Sequence, residues 1–169
     1  MSGLLIWNMA VVPYLLNNSE VWVDLDKECM EELDKLQTLF LSVLMAVPVS
    51  CPRPALSWDT GPLSMKNRII QRKLNLVVHL RNLSDGSLAK QVFLEQRKNG
   101  WPGLVSEAQD LCKQINLPDV TMDREKETKQ AWKSSIRRTV EGNNGKELGE
   151  EINEVGKFQK IDSNEIRGI

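Results

Sequence analysis

The sequence is poorest in the side chains that carry most hydrolytic and redox chemistry: one histidine, one tyrosine and three cysteines among 169 residues. A nucleophilic triad needs a base beside Ser or Cys. The lone His79 lies in an apolar-periodic stretch next to Leu80, so packing or hydrogen bonding at the core edge is its expected role. Cys29, Cys51 and Cys112 are far apart, form no CxxC pair and are odd in number, which reads as reduced, buried thiols of an intracellular protein rather than a disulfide framework. A structural zinc site needs about four Cys/His ligands at short spacing, and no metal or other cofactor is expected. Phosphate-cradling GxxxxGK[ST] and GxGxxG loops are absent. So is any adjacent Asp-Asp pair of the kind a template-copying polymerase uses to hold magnesium. The closest aspartates, Asp24 and Asp26, are expected to cap the helix that follows them. The most apolar segment, Met1 to Leu16, is shorter than the roughly 20 residues of a membrane span. Asn8 and Pro13 interrupt it, and it has neither a basic start nor a small-residue cleavage site, so a core helix or strand is expected there and no membrane partner.

With 41% hydrophobic and 27% charged residues, the chain falls within the globular range and is long enough for one domain with an attached tail. Met30, Leu33, Leu36, Phe40, Val43 and Leu44 recur at three- and four-residue spacing and predict a helix between Asp26 and Ala46. Val47-Pro48 ends it, and Pro52 and Pro54 predict an ordered loop over residues 47–61, pinned by Ala55-Leu56-Ser57-Trp58. Pro62 suits a helix start, and Met65, Ile69, Leu76 and Leu80 extend that helix to about Asn82. A third helix is expected from Ser87 to Lys98 with Leu88, Val92 and Phe93 inward, and a fourth from Leu104 to Ile115. Two peripheral charged helices should follow, separated by a turn at Gly142-Asn143-Asn144-Gly145. The expected fold is therefore all-α, an irregular helical bundle over residues 1–120 with a charged helical tail at 121–169.

Charge is close to balanced at −1, yet unevenly placed. Residues 1–60 hold three Lys/Arg against eight Asp/Glu, and residues 61–100 hold eight against two. Lys66, Arg68, Arg72 and Lys73 supply much of that excess on the second helix. Cations along a helix can follow a phosphate backbone and gain affinity by releasing counterions. The competing reading is neutralisation by the acidic face of the preceding helix, or simple solvation.

The order of landmarks carries a resemblance. Leu15-Leu16, Ser19-Glu20-Val21-Trp22, Leu33-Asp34-Lys35-Leu36-Gln37, Phe40, the Pro48/Pro52/Pro54 loop, Gly61-Pro62-Leu63, Met65, Arg68-Ile69, Lys73-Leu74 and His79-Leu80 are followed by Ser87-Leu88-Ala89-Lys90 and Trp101-Pro102-Gly103-Leu104. Together they resemble non-LTR retrotransposon reverse transcriptases downstream of the palm, over about residues 10–120. That region forms a helical thumb and its extension, gripping the template-primer duplex. The resemblance implies contact with RNA or an RNA–DNA hybrid through Lys66, Arg68, Arg72 and Lys73. It supplies no catalytic residue, because none of the family's catalytic motifs has a matching position here, and no independent polymerase activity is expected. Two alternatives stand beside it. One is a protein-interaction or self-association module using Leu4, Leu5, Ile6, Trp7, Val11 and Val12; the other is a transposable-element remnant without selected function.

Overall fold

A computed structural model describes residues 3–22, 27–48, 50–122 and 128–165. Among them every regular element is a helix, so the fold is an all-α, irregular bundle. The expected caps at Asp24 and Asp26 lie outside the described residues, as do the side chains of Trp58 and Val155.

The N-terminal segment is helical: α1 (Gly3–Ile6), a π-helical stretch (Trp7–Val11) and α2 (Val12–Leu15) follow without a break. The wide turn, in which Val12 N–H donates to the Trp7 carbonyl, directly precedes Pro13. Proline has no N–H to give and crowds the preceding turn of a regular helix, so a wider turn accommodates it. A short 3-10 turn, Ser19–Val21, leads on to α3 (Lys27–Met45). Ala46 ends α3 in the left-handed conformation (φ 53°), with Val47 N–H donating back to the Ser42 carbonyl at 3.0 Å.

The prolines of the next segment do not keep it irregular. Residues Arg53–Thr60 form an eight-residue helix, α4, with Pro54 in the first turn, where its missing N–H would have no partner in any case. Gly61 closes α4 with φ 70°. The following helix, α5 (Met65–Arg81), starts three residues later than Pro62 suggests, because Ser64 is its N-cap and accepts a hydrogen bond from Asn67 N–H at 3.2 Å. Helices α6 (Leu88–Asn99) and α7 (Leu104–Gln114) match the expected spans to within a residue. On α6, however, only Phe93 of the three expected inward residues is buried; Leu88 and Val92 are exposed.

The largest difference is α8. Residues Lys129–Glu165 form one continuous helix of 37 residues instead of two separated by a turn, and its first half is not peripheral. Trp132, Ile136 and Val140 are fully buried against Leu74, Val77, Phe93, Ala108 and Val120. The glycines and asparagines at 142–145 stay helical because Asn144 has a tertiary task. Its Oδ1 accepts from Ser64 N–H at 2.9 Å and from Asn67 Nδ2 at 3.2 Å, so α8 caps the start of α5. Residues on both sides of position 120 thus share one core.

Helix α5 runs through the centre. Ile70, Leu74, Val77 and Val78 face the cluster just described, while Met65 and Ile69 face a second cluster with Trp7, Val12 and Leu16. There the Trp7 ring stacks on Phe40 at 4.3 Å between centroids. At the other end Arg81 is buried, donates at 2.9 Å to the carbonyls of Val120 and Met122, and lies 5.1 Å from the centre of the Trp132 ring. That fastens residues 120–122 between α5 and α8. Of the three thiols expected to be buried, only Cys112 is; Cys29 is exposed and Cys51 half-buried.

Two consequences are measurable. An added Cβ at Gly142 or Gly145 meets nothing within 4 Å, and glycine inside a helix costs about 0.5–1 kcal/mol relative to alanine. Each Gly→Ala change should therefore raise Tm by a few degrees in a thermal melt; a lowered Tm would contradict a continuous α8. Burial pushes the Cys112 thiol up, outweighing a backbone hydrogen bond from Val120, so little thiolate forms near neutrality. A thiol reagent on native protein should label Cys29 first and Cys112 only on unfolding.

Candidate nucleic-acid interface

The four basic residues singled out on α5 do not form one face. At 3.6 residues per turn, Arg68 and Arg72 share one side and Lys66 and Lys73 another. Each also has an internal partner. Arg68 donates from Nε to the Leu63 carbonyl at 3.1 Å and from Nη2 to Asn8 Oδ1 at 2.8 Å. Its burial, with the neighbouring charge of Arg72, lowers its pKa below the ordinary guanidinium value. Arg72 donates to the Leu16 carbonyl at 2.5 Å and pairs with Glu20 at 3.4 Å. Lys66 pairs with Glu147 of α8 at 3.1 Å. Lys73, with only 5% of its side chain exposed, donates to Glu107 and to the Trp22 carbonyl.

These partners explain why the sequence pattern misleads. Lys66 and Lys73 were expected to face solvent or the acidic side of α3, whereas their carboxylates come from α8 and α7. A continuous four-residue phosphate track along α5 is not what the geometry presents.

One of the four, Arg72, does open onto a cleft. It lies on the lining of a space of about 360 Å³ together with His79 of α5 and Lys129 and Lys133 of α8. Among the described residues Glu20 is the one carboxylate on that lining, and it is the partner of Arg72. Lys129 Nζ lies 3.0 Å from His79 Nδ1, within hydrogen-bond distance. Lys133 is exposed, one helical turn beyond Lys129. With Arg72 balanced by Glu20, the two lysines give the described lining of the cleft a positive excess of N–H donors.

Lys129 and Lys133 were missed because they lie more than 50 residues beyond Arg72 in a segment read as peripheral. Trp132 and Ile136 held the usable signal. Once those two are core residues, α8 must lie along α5, and Lys129 and Lys133, four residues apart, must flank that contact.

The apolar N-terminal strip also divides. Trp7 and Val12 are buried in the core, whereas Leu5, Ile6 and Met9 are exposed, Met9 at 71%. On α3, Leu36, Leu39 and Val43 are exposed. Among the described residues no three His, Cys, Asp or Glu side chains stand close enough to hold a metal ion, and no described helix is long and apolar enough to cross a membrane.

Comparison with protein-family models, curated proteins and solved structures finds no match.

The Lys73–Glu107 pair yields an asymmetric expectation. Glu107 retains 32% side-chain exposure, so water can solvate it when Lys73 is removed, whereas Lys73, at 5%, is left with the Trp22 carbonyl and no counter-charge when Glu107 is removed. In urea unfolding, Glu107→Leu should cost about 3 kcal/mol and Lys73→Met clearly less. Equal costs would show that Lys73 reaches water.

Proposed function

We propose that the chain is a non-catalytic helical module, derived from a reverse transcriptase of the non-LTR retrotransposon type, that contacts RNA or an RNA–DNA hybrid through the cleft between α5 and α8. The observation carrying this reading is the convergence of Arg72, His79, Lys129 and Lys133 on one opening. Cations on two helices can engage successive phosphates, and donors held by packed helices lose little freedom on binding. The resemblance of residues 10–120 to the region beyond the palm supplies the choice of nucleic acid. Arg72 is the residue common to that resemblance and to the cleft. Lys66, Arg68 and Lys73 act in this reading as internal ties that hold α5 in place.

The test uses the two α8 cations of the cleft, half-buried Lys129 and exposed Lys133. Lys129→Glu combined with Lys133→Glu should weaken binding to an RNA–DNA hybrid and reduce the slope of log K against log salt by about 2, since each phosphate contact contributes somewhat under one unit. Lys113→Glu serves as the control, because Lys113 pairs with Asp110 on the exposed side of α7. Circular dichroism should show both proteins folded. Unchanged affinity and slope in the double variant would overturn the reading.

A second reading is protein interaction or self-association. Its support is the apolar side chains left exposed on two segments joined by the Trp7–Phe40 stack, Leu5, Ile6 and Met9 on one and Leu36, Leu39 and Val43 on the other, since large exposed apolar surface on soluble proteins commonly marks interfaces. Light scattering should then show association that rises with concentration and is abolished by Met9→Glu with Val43→Glu.

A further inference from the structure

Arg72 carries more donors than the fold uses. A guanidinium has five N–H groups, and both contacts of Arg72 within the described residues are made by one nitrogen, Nη1. It donates to the Leu16 carbonyl at 2.5 Å and to Glu20 Oε2 at 3.4 Å. The first bond is short and ends on backbone, so it fixes where the guanidinium sits. The Nε–Nη2 edge meets no acceptor among the described residues. Such an edge offers the parallel pair of donors that a phosphate engages in bidentate fashion, and 34% of the Arg72 side chain is open to solvent.

Glu20 is held more loosely. Its 3.4 Å separation from Arg72 exceeds the 2.5 and 2.6 Å of the two Arg53 pairs and the 3.1 Å of Lys66–Glu147. The Glu20 side chain is 32% exposed, so water can take over its carboxylate. It stands on the single 3-10 turn Ser19–Val21, just after Asn18 in the left-handed conformation (φ 57°), and Ser19 is fully buried. With the backbone anchored there, leaving Arg72 takes only a side-chain rotation.

On the reading of this cleft as a phosphate-binding surface, we propose that Arg72 is its phosphate seat and that Glu20 is an internal competitor, paired with Arg72 in the free protein and turned out to solvent when a phosphate arrives. Two anions on one guanidinium repel each other, and the loosely held carboxylate is the one that yields. The Leu16 carbonyl keeps Arg72 in place during the exchange. Glu20 also selects among anions. A single negative charge offers Arg72 no more than Glu20 already does, whereas linked phosphates also reach Lys129 and Lys133 on the same lining.

The test is calorimetric titration of the full chain with inorganic tripolyphosphate. Glu20→Gln should bind it about two- to fivefold more tightly than the wild type, the worth of a partly exposed ion pair. In an Arg72→Gln background the same change should gain clearly less, because the contact it relieves is gone. Glu154→Gln, which removes an exposed carboxylate far along α8, should bind as the wild type does. The near-isosteric Glu20→Gln keeps the result readable if Arg72→Gln does not fold. Three results would each overturn the seat: no tripolyphosphate binding by either protein at millimolar concentration, unchanged or weaker binding in Glu20→Gln, or an equal gain with and without Arg72. An RNA–DNA hybrid that fails to bind while tripolyphosphate behaves as expected would support the seat and overturn the nucleic-acid reading alone.

Discussion

Helix α5 is enclosed on most of its circumference, and three of its enclosed positions carry Asn67, Lys73 and Arg81. A buried polar group without partners costs far more than a satisfied one contributes, and a buried unpaired charge costs more still. The helices around α5 can therefore settle only where they bring acceptors to those three side chains. Asn144 and Glu147 of α8 reach Asn67; Glu107 of α7 and the Trp22 carbonyl reach Lys73; the carbonyls of Val120 and Met122 reach Arg81. Apolar burial on both sides of α5 supplies most of the driving force for packing, but it is non-directional. The polar ties fix the rotation and the longitudinal register of α7 and α8 against α5.

The same requirement separates what was legible in the sequence from what was not. Helices α3, α5, α6 and α7 each have apolar residues at helical spacing and recognisable ends, so their spans follow from local pattern. The eight-residue α4 was hidden because proline usually breaks a helix but is harmless in a first turn, and position within a turn is not visible from the residue alone. Continuity of α8 through Gly142-Asn143-Asn144-Gly145 was hidden for a different reason. Locally those residues favour a turn, and what keeps them helical is a contact with Ser64 and Asn67, roughly 80 positions earlier. Tertiary partners override local propensity, and they cannot be read from a window of sequence.

The basic residues show the same limit at the level of the site. A count of Lys and Arg in residues 61–100 registers an excess but not its direction. Lys73 points into the protein, Arg68 toward the N-terminal segment and Lys66 toward α8, each to satisfy a nearby acceptor. Arg72 alone reaches the cleft, where its role depends on two lysines from another part of the chain. Cations committed to holding the fold are unavailable to a ligand, so a nucleic-acid surface here must draw its charge from helices with a solvated side. Helix α8 is such a helix.

Its own charge is polarised along its length, with Lys129, Lys133, Arg137 and Arg138 near the start and Glu147, Glu150, Glu151 and Glu154 farther on. At 1.5 Å per residue, Lys133 and Glu154 lie about 30 Å apart along the axis. That is several Debye lengths at physiological ionic strength, where screening acts over about 8 Å. The acidic end therefore does not cancel the field at the basic cleft, nor the reverse, even though one rigid helix carries both. A chain with a net charge near zero can in this way present two local fields of opposite sign, and its overall charge balance says little about which ions it attracts.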